Sequence, residues 1–297
     1  MSIDKTTYSR AIQSLLAGGG ALAAWPFRHR SSQAITLDRI LSGQTVLITG
    51  ASSGIGRAIA LRVADTKATL VLVARSTDKL WELERAIRLG GGNARSYAAD
   101  LSSGPSVDAL LAELARDGMA IDVLINNAGR SIRRSIDQAA RRVHDYERTM
   151  ALNYFGSLRL ILGFVPGMRA RKRGHIINVS SAGVQMGTPL FSAYVASKAA
   201  LDAFTRVAAG ETRDDQVRFS TVHMPLVRTP MIAPTEEYRD VDALSPEQAA
   251  DLVLRPLITH EKQLGTRLAN LFSLAHVVAP DIVERVVAYG HRLGRAA

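Results

Sequence analysis

Apolar positions along this chain fall into two alternating patterns. Short runs at residues 44–49, 69–74, 94–98, 121–125, 175–179 and 217–223, most of them β-branched, read as strands of a buried sheet. Between them, residues 55–64, 77–89, a stretch beyond Pro105, 143–171 and 194–211 repeat their apolar side chains at helical spacing, the last opening on Ser192 as a cap. Such alternation implies an α/β fold, a single Rossmann-type doubly wound parallel sheet with helices on both faces and ligands at the strands' carboxyl ends. Ser245-Pro246-Glu247-Gln248 is a helix start, with serine at the cap and proline at the first position. Helical patterns follow at 248–259, 264–278 and 281–291.

No repeat or linker divides residues 43–297, which read as one domain with a substrate lid at about 230–260 and extra helices at the C-terminal end. Residues 1–42 differ. Positions 12–27 are largely apolar but are broken by Gln13, Ser14 and Gly18-Gly19-Gly20, and fall short of the roughly 20 residues that span a bilayer. Arg10 before that run and Ala21-Leu22-Ala23 within it, as a cleavage site, also fit a cleaved signal peptide. The reading adopted is a helical extension that packs on the body, on a partner or on a membrane surface.

Composition narrows the chemistry. With no cysteine among 297 residues, disulfides, cysteine-ligated metal and a cysteine acyl-enzyme are excluded, and no metal site is expected. The 37 basic and 27 acidic side chains give a net charge of +10, carried by 31 Arg and only 6 Lys. Polyanions or an anionic membrane suit that charge, although an arginine excess also follows from genome composition. Nucleic acid is not expected, because aromatic content is 5% and no basic-aromatic array occurs.

The candidate chemistry sits where strands hand over to helices. Gly50, Ser52, Ser53, Gly54, Ile55 and Gly56 form a strand–turn–helix in which glycines admit a pyrophosphate to a helix N-terminus. The second strand ends at Arg75, where arginine suits the 2′-phosphate of NADP(H) and an acid would suit NAD; Arg57 is the next candidate. Asp100-Leu101 ends the third strand, with Asp100 placed either for an adenine amino group or as a helix cap. Asn126, Asn127, Ala128 and Gly129 end the fourth, small and amide-bearing residues able to lie against a cofactor and tie strands together. Tyr194 and Lys198 lie one helical turn apart, so that an ammonium there would favour the phenolate, and Ser181 is placed to hold a substrate oxygen. Asn153, in mid-helix, is either solvated or set for a polar task.

Taken in order, Thr49-Gly50-x-x-x-Gly54-x-Gly56, Asp100, Asn126-Asn127-Ala128-Gly129, Asn153, Ser181, Tyr194 and Lys198 resemble the short-chain dehydrogenase/reductase family over about residues 42–260. The resemblance implies an NADP(H)-dependent enzyme. It makes Tyr194 the general acid/base and gives Lys198 two tasks, lowering the Tyr194 pKa and binding the nicotinamide ribose. Ser181 then orients the carbonyl, Asn153 holds a water in a proton relay, and Thr229 meets the nicotinamide carboxamide. One departure is Met224-Pro225 where the family usually has Pro-Gly. The stretches 124–135, 144–162, 191–204, 224–235 and 244–254 resemble, more narrowly, bacterial fatty acyl-CoA reductases of that type. That implies a small-molecule substrate, acyl-CoA, with Arg130, Arg133 and Arg134 as grips for its phosphates. It also implies a homo-oligomer, dimer or tetramer, in the cytoplasm or at a membrane periphery. Two alternatives are a general ketone, aldehyde or alcohol enzyme of the same family and a non-catalytic NADP-sensing or scaffold protein.

Overall fold

A computed structural model describes the backbone of residues 30–296 and the side chains of residues 36–292. The apolar stretch 12–27 lies outside the described residues. A leading helix α1 (Arg30–Leu41) is followed by β1 (Thr45–Thr49), α2 (Gly54–Ala64), β2 (Thr69–Ala74), α3 (Thr77–Leu89), β3 (Asn93–Ala98), α4 (Gly104–Arg116) and β4 (Val123–Asn126). The short α5 (Ile136–Ala139) leads into α6 (Val143–Met150), a π-helical turn (Ala151–Gly156) and α7 (Ser157–Ala170). Then come β5 (Gly174–Ser181), α8 (Ala182–Met186), α9 (Ser192–Glu211), β6 (Val217–Met224), α10 (Pro246–Thr259), β7 (Gln263–Leu264), α11 (Arg267–Val278) and α12 (Pro280–Ala296).

All seven strands are parallel, in the order β3-β2-β1-β4-β5-β6-β7. Successive side chains of a strand point to opposite faces, which sorts the core into two layers. Val46, Ile48, Leu70 and Leu72 join the layer beneath α1, α2, α3 and α10, whereas Leu47, Val71 and Val73 join the layer beneath α4, α7 and α9. Because both faces are covered, β1 and β2 read as unbroken apolar runs rather than alternating ones. Leu37 and Leu41 of α1 lie in the first layer, so the leading segment enters the core before residue 43.

Several expectations meet a different structure. The single helix at 143–171 is interrupted at 151–156, where side-chain bonds from Asn153 hold the wound-out turn against the loop after β4. A glycine is required there, since a Cβ on Gly156 would stand 2.4 Å from the Leu101 carbonyl. The fourth strand runs from Val123 rather than residue 121, because Asp122 turns its carboxylate back to the Thr45 N–H and to Arg173. The cap of α9 is Phe191, not Ser192, whose hydroxyl bonds Tyr146 instead. The helix expected from 264 begins at Arg267, capped by Thr266, and Leu264 pairs with Val222 as an edge strand. Of the proposed lid at 230–260, residues 246–259 form a helix whose Ala249, Leu252, Val253, Leu254 and Leu257 are core; only the part before it is loop. The capping box of Ser245 and Gln248, with Pro246 in the first turn, is formed as expected.

His175, in β5, is buried and bonds Ser220 at 2.9 Å. The Ser220 hydroxyl donates to the Glu261 carbonyl at 2.7 Å, so His175 Nε2 is the donor in that pair. Burial, aided by the Arg218 charge, brings its pKa down to about 3. The unfolded chain therefore takes up a proton below its ordinary value while the folded chain does not, and stability is lost as pH falls from about 6.5 towards about 3. Replacing His175 with Gln should flatten the dependence of urea-unfolding midpoints across that window; an unchanged slope would show that the imidazole is not responsible.

Candidate active site

The crevice opens where the strand order reverses, between β1 and β4. Beyond β1 the chain turns through Gly50 (φ 66) and Gly54 (φ 52), left-handed conformations that suit glycine. Gly56 lets α2 close on that turn, since a Cβ there would stand 2.2 Å from the Gly50 carbonyl. Thr49 Oγ1 accepts from the N–H groups of Asn127 and Ala128, both at 2.9 Å, and Asn127 Nδ2 donates to the Thr49 carbonyl at 2.9 Å. These bonds tie the two strand exits together. Behind them Asn126 donates to Asn178, and Asn178 to Thr205, carrying the tie from β4 through β5 into α9.

A cavity of about 410 Å³ follows the strand ends. Ser52, Ser53, Gly54, Ile55 and Arg75 line its first part, Leu101, Asn127, Ala128 and Gly129 its middle, and Ser181, Tyr194, Lys198 and Thr229 its far part. Three expected residues are not in its wall. Gly56 lies behind the turn. Asp100 accepts from the Ser102 N–H and hydroxyl at 3.0 and 2.7 Å, bonds that hold its carboxyl below the usual range; Ser103, not Asp100, caps α4. Asn153 is buried in the π-helical turn, where Oδ1 accepts from the Arg130 N–H at 2.8 Å and Nδ2 donates to the Arg130 carbonyl and to Ser197. It fixes the backbone just past Gly129.

The cavity suits a nicotinamide dinucleotide. The glycine turn offers a helix N-terminus to a pyrophosphate, and Arg75 and Lys79 supply cations at one end, with the Ser76 hydroxyl between them in sequence. Arg57 does not line the cavity. In the middle of the cavity a side chain on Gly129 would meet Asn153 Oδ1 at 3.3 Å and Lys198 Nζ at 3.5 Å, so glycine leaves that wall open.

Lys198 is buried and donates from Nζ to the Val179 carbonyl at 2.7 Å. Burial brings its pKa down to about 8, against the opposing charge of Asp202. The Ser181 hydroxyl donates towards the Tyr194 oxygen, and its own oxygen accepts from the Gly183 N–H at 3.1 Å. The expected phenolate is not favoured here: burial pushes the Tyr194 pKa above its ordinary value, the Asp202 charge adds to it, and only the Ser181 bond opposes. Desolvation is the largest influence on it in the protein alone, so the phenol stands as a proton donor.

Other groups went unnoticed in the sequence. Asp202, one turn beyond Lys198, accepts from His223 at 2.8 Å and from Ser180 at 3.2 Å, all three buried. Its spacing from Lys198 was the available signal. Phe191 and Tyr238 stack at 6.3 Å across the cavity mouth, and Arg133 pairs with Glu237 at 2.7 Å, pinning the loop that carries Tyr238. Of the three arginines assigned to CoA phosphates, Arg133 is thus committed to Glu237 and Arg134 to Asp145, which Arg142 and Arg148 also bind. Carboxylates within reach have claimed two of the three.

A family model described as short chain dehydrogenase matches residues 44–240. The chain belongs to the short-chain dehydrogenase family. It is 47% identical over 253 residues to a fatty acyl-CoA reductase of Acinetobacter baylyi, covering 85% of this chain and 86% of that one. It is 44% identical over 248 residues to a fatty acyl-CoA reductase of Mycobacterium tuberculosis, covering 83% and 84%. Among solved structures, a metagenomic short-chain oxidoreductase in complex with NADP is 36% identical, with a TM-score of 0.63 over 73% of this chain and 91% of that one. As a short-chain dehydrogenase the protein is a nicotinamide-dependent oxidoreductase.

The Asp202 charge sustains the Lys198 ammonium in a site where burial opposes it. Carbonyl reduction should therefore decline as pH rises past about 8, and Asp202→Asn should move that limb to lower pH by roughly one unit. A limb that stays in place in the variant's kcat/KM profile would remove Asp202 from this role.

Proposed function

We propose that this short-chain dehydrogenase reduces long-chain fatty acyl-CoA thioesters to fatty aldehydes with NADPH. The observation that carries the reading is the extent of the match to two fatty acyl-CoA reductases, which covers 83–85% of the chain where the shared family model stops at residue 240. The cavity agrees with it. Beyond Tyr194 it meets Phe191, Met231, Ile232 and Tyr238, and a second hollow of about 390 Å³ continues past Ile232 and Pro234. An acyl chain fits such walls.

Gly50, Ser52, Ser53, Gly54, Ile55, Leu101, Asn127, Ala128, Gly129 and Thr229 hold the cofactor, with Arg75 and Lys79 on the 2′-phosphate. Bound there, NADPH supplies the hydride. Ser181 holds the thioester oxygen beside Tyr194, and the phenol gives that oxygen its proton. Lys198 keeps a positive charge under the developing tyrosinate, and Asn153 fixes the loop past Gly129 and, through Ser197, touches the helix that carries Tyr194. With no cysteine in the chain, the acyl group is not passed to an enzyme thiol; the thioester carbon itself changes from carbonyl to thiohemiacetal, whose hydroxyl proton then returns to the Tyr194 oxygen as the C–S bond breaks and CoA thiolate leaves. Asp100 is left out of this assignment because its carboxylate is occupied by Ser102.

Incubation with NADPH and palmitoyl-CoA should release free thiol and consume NADPH one for one, faster than any simple ketone, aldehyde or alcohol in a substrate panel. Turnover of a ketone with none of the thioester would contradict the assignment. Tyr194→Phe should bind NADPH normally and lose about 10²–10⁴-fold in rate, the usual contribution of a general acid. Retention of half the rate would exclude the phenol.

Cofactor preference should rest on Arg75. Exchange for Asp replaces a charge-assisted bond worth about 1.5–3 kcal/mol by repulsion, so NADPH affinity should fall well below NADH affinity as judged by fluorescence titration. If the preference survives, Lys79 holds the phosphate instead.

A further inference from the structure

The helix pair at the C-terminal end presents an apolar face that no described residue covers. On α11, Leu271, Leu274 and Val278 are exposed at i, i+3 and i+7, with Val277 beside them at 80% exposure. On α12, Ile282, Val286 and Tyr289 repeat the pattern at i, i+4 and i+7. The opposite sides face inward, through Ala269 and Phe272 onto α8 and through the buried Val283. A globular protein rarely leaves so continuous an apolar stripe in water without a use for it.

The charges beside the stripe indicate its occupant. Arg267 lies one turn before Leu271 on the same face, and Arg285 and Arg292 lie along one flank of the α12 stripe, all three exposed and without an ion pair among the described contacts. Some arginines elsewhere are committed: Arg62, Arg88, Arg95, Arg169, Arg173 and Arg255 each hold a carboxylate. Apolar side chains flanked by unpaired arginines match the interface of an anionic bilayer, where the former enter the acyl boundary and the latter meet phosphates. No helix among the described residues is long and apolar enough to cross a membrane, so such contact would lie in the interface plane.

The pair also adjoins the site. Gln185 of α8 donates to Asn270 of α11 at 2.7 Å, and His276 Nε2 lies 3.5 Å from where a Cβ on Gly187 would stand. Ala182 and Gly183 of α8, and Thr188 just beyond it, line the cavity. We propose that the α11–α12 pair is a docking surface for an anionic membrane interface, setting the cavity mouth beside the lipid in which long acyl chains partition. Substrate delivery rests on the acyl-thioester reading given above; the docking itself does not.

Flotation of the full chain with vesicles of phosphatidylcholine alone, and of phosphatidylcholine with one quarter phosphatidylglycerol, separates the two ideas because it needs no turnover. The protein should float with the anionic vesicles, less so at high salt, and hardly at all with the neutral ones. Leu274→Glu with Val278→Glu and Ile282→Glu, all exposed and remote from the cofactor, should weaken binding on the order of a hundredfold while leaving turnover of a short, water-soluble substrate unchanged. Equal flotation of the variant, or none by the wild type at low salt, would overturn the proposal. So would a variant that changes only self-association in sedimentation, since the face would then join two copies of this chain. Vesicle binding without turnover of acyl-CoA would leave docking intact and contradict only the substrate.

Discussion

One hydrogen bond organises the candidate site: the Lys198 ammonium donating to the Val179 carbonyl, near the end of β5, at 2.7 Å. A buried ammonium is costly unless it is paired, and the carbonyl and the charge of Asp202 one turn away are what this site offers it. Both exist only because α9 crosses the end of β5 in a fixed register, and that register is set from below by the Asn126, Asn178 and Thr205 chain. The polar residues inside the sheet therefore serve the position of one helix. Tyr194 takes its place from the same helix, one turn earlier, and meets Ser181 at the strand's end.

The opposing directions of the two pKa shifts have a consequence for chemistry. Desolvation keeps Tyr194 protonated and brings the Lys198 pKa down to about 8, so near neutral pH the phenol carries the proton that reduction of a carbonyl requires while the lysine stays an ammonium. Asp202 opposes the lysine's shift and adds to the tyrosine's. A single carboxylate thus holds both groups in their proton-bearing forms.

Much of this was legible in the sequence because the signals were local. Glycines at a strand–helix turn, a Tyr and a Lys four apart, and runs of β-branched residues all act over a few positions, and each appeared where expected. Non-local contacts were not legible. Asn153 sits in a π-helical turn because its amide finds the Arg130 backbone, 23 residues away, and periodicity alone reads that stretch as plain helix. Arg133 and Arg134 looked free for phosphate until Glu237 and Asp145 came within reach through folding. Asp100 lay at the right strand end yet turned to Ser102, a choice that depends on rotamer rather than position. The apolar face of α11 and α12 was visible as helical pattern, but its exposure required knowing what the body leaves uncovered.

In the proposed reaction hydride reaches a thioester carbon directly while Tyr194 supplies the proton. A single-turnover reaction of the protein with NADPH carrying deuterium at the transferred position and a long-chain acyl-CoA tests this, read by mass spectrometry of both products and protein. The expected result is one deuterium on the aldehyde carbon, one free CoA for each NADPH consumed, and no acylated protein. An acyl-protein adduct, or NADPH oxidation without release of CoA, would contradict it.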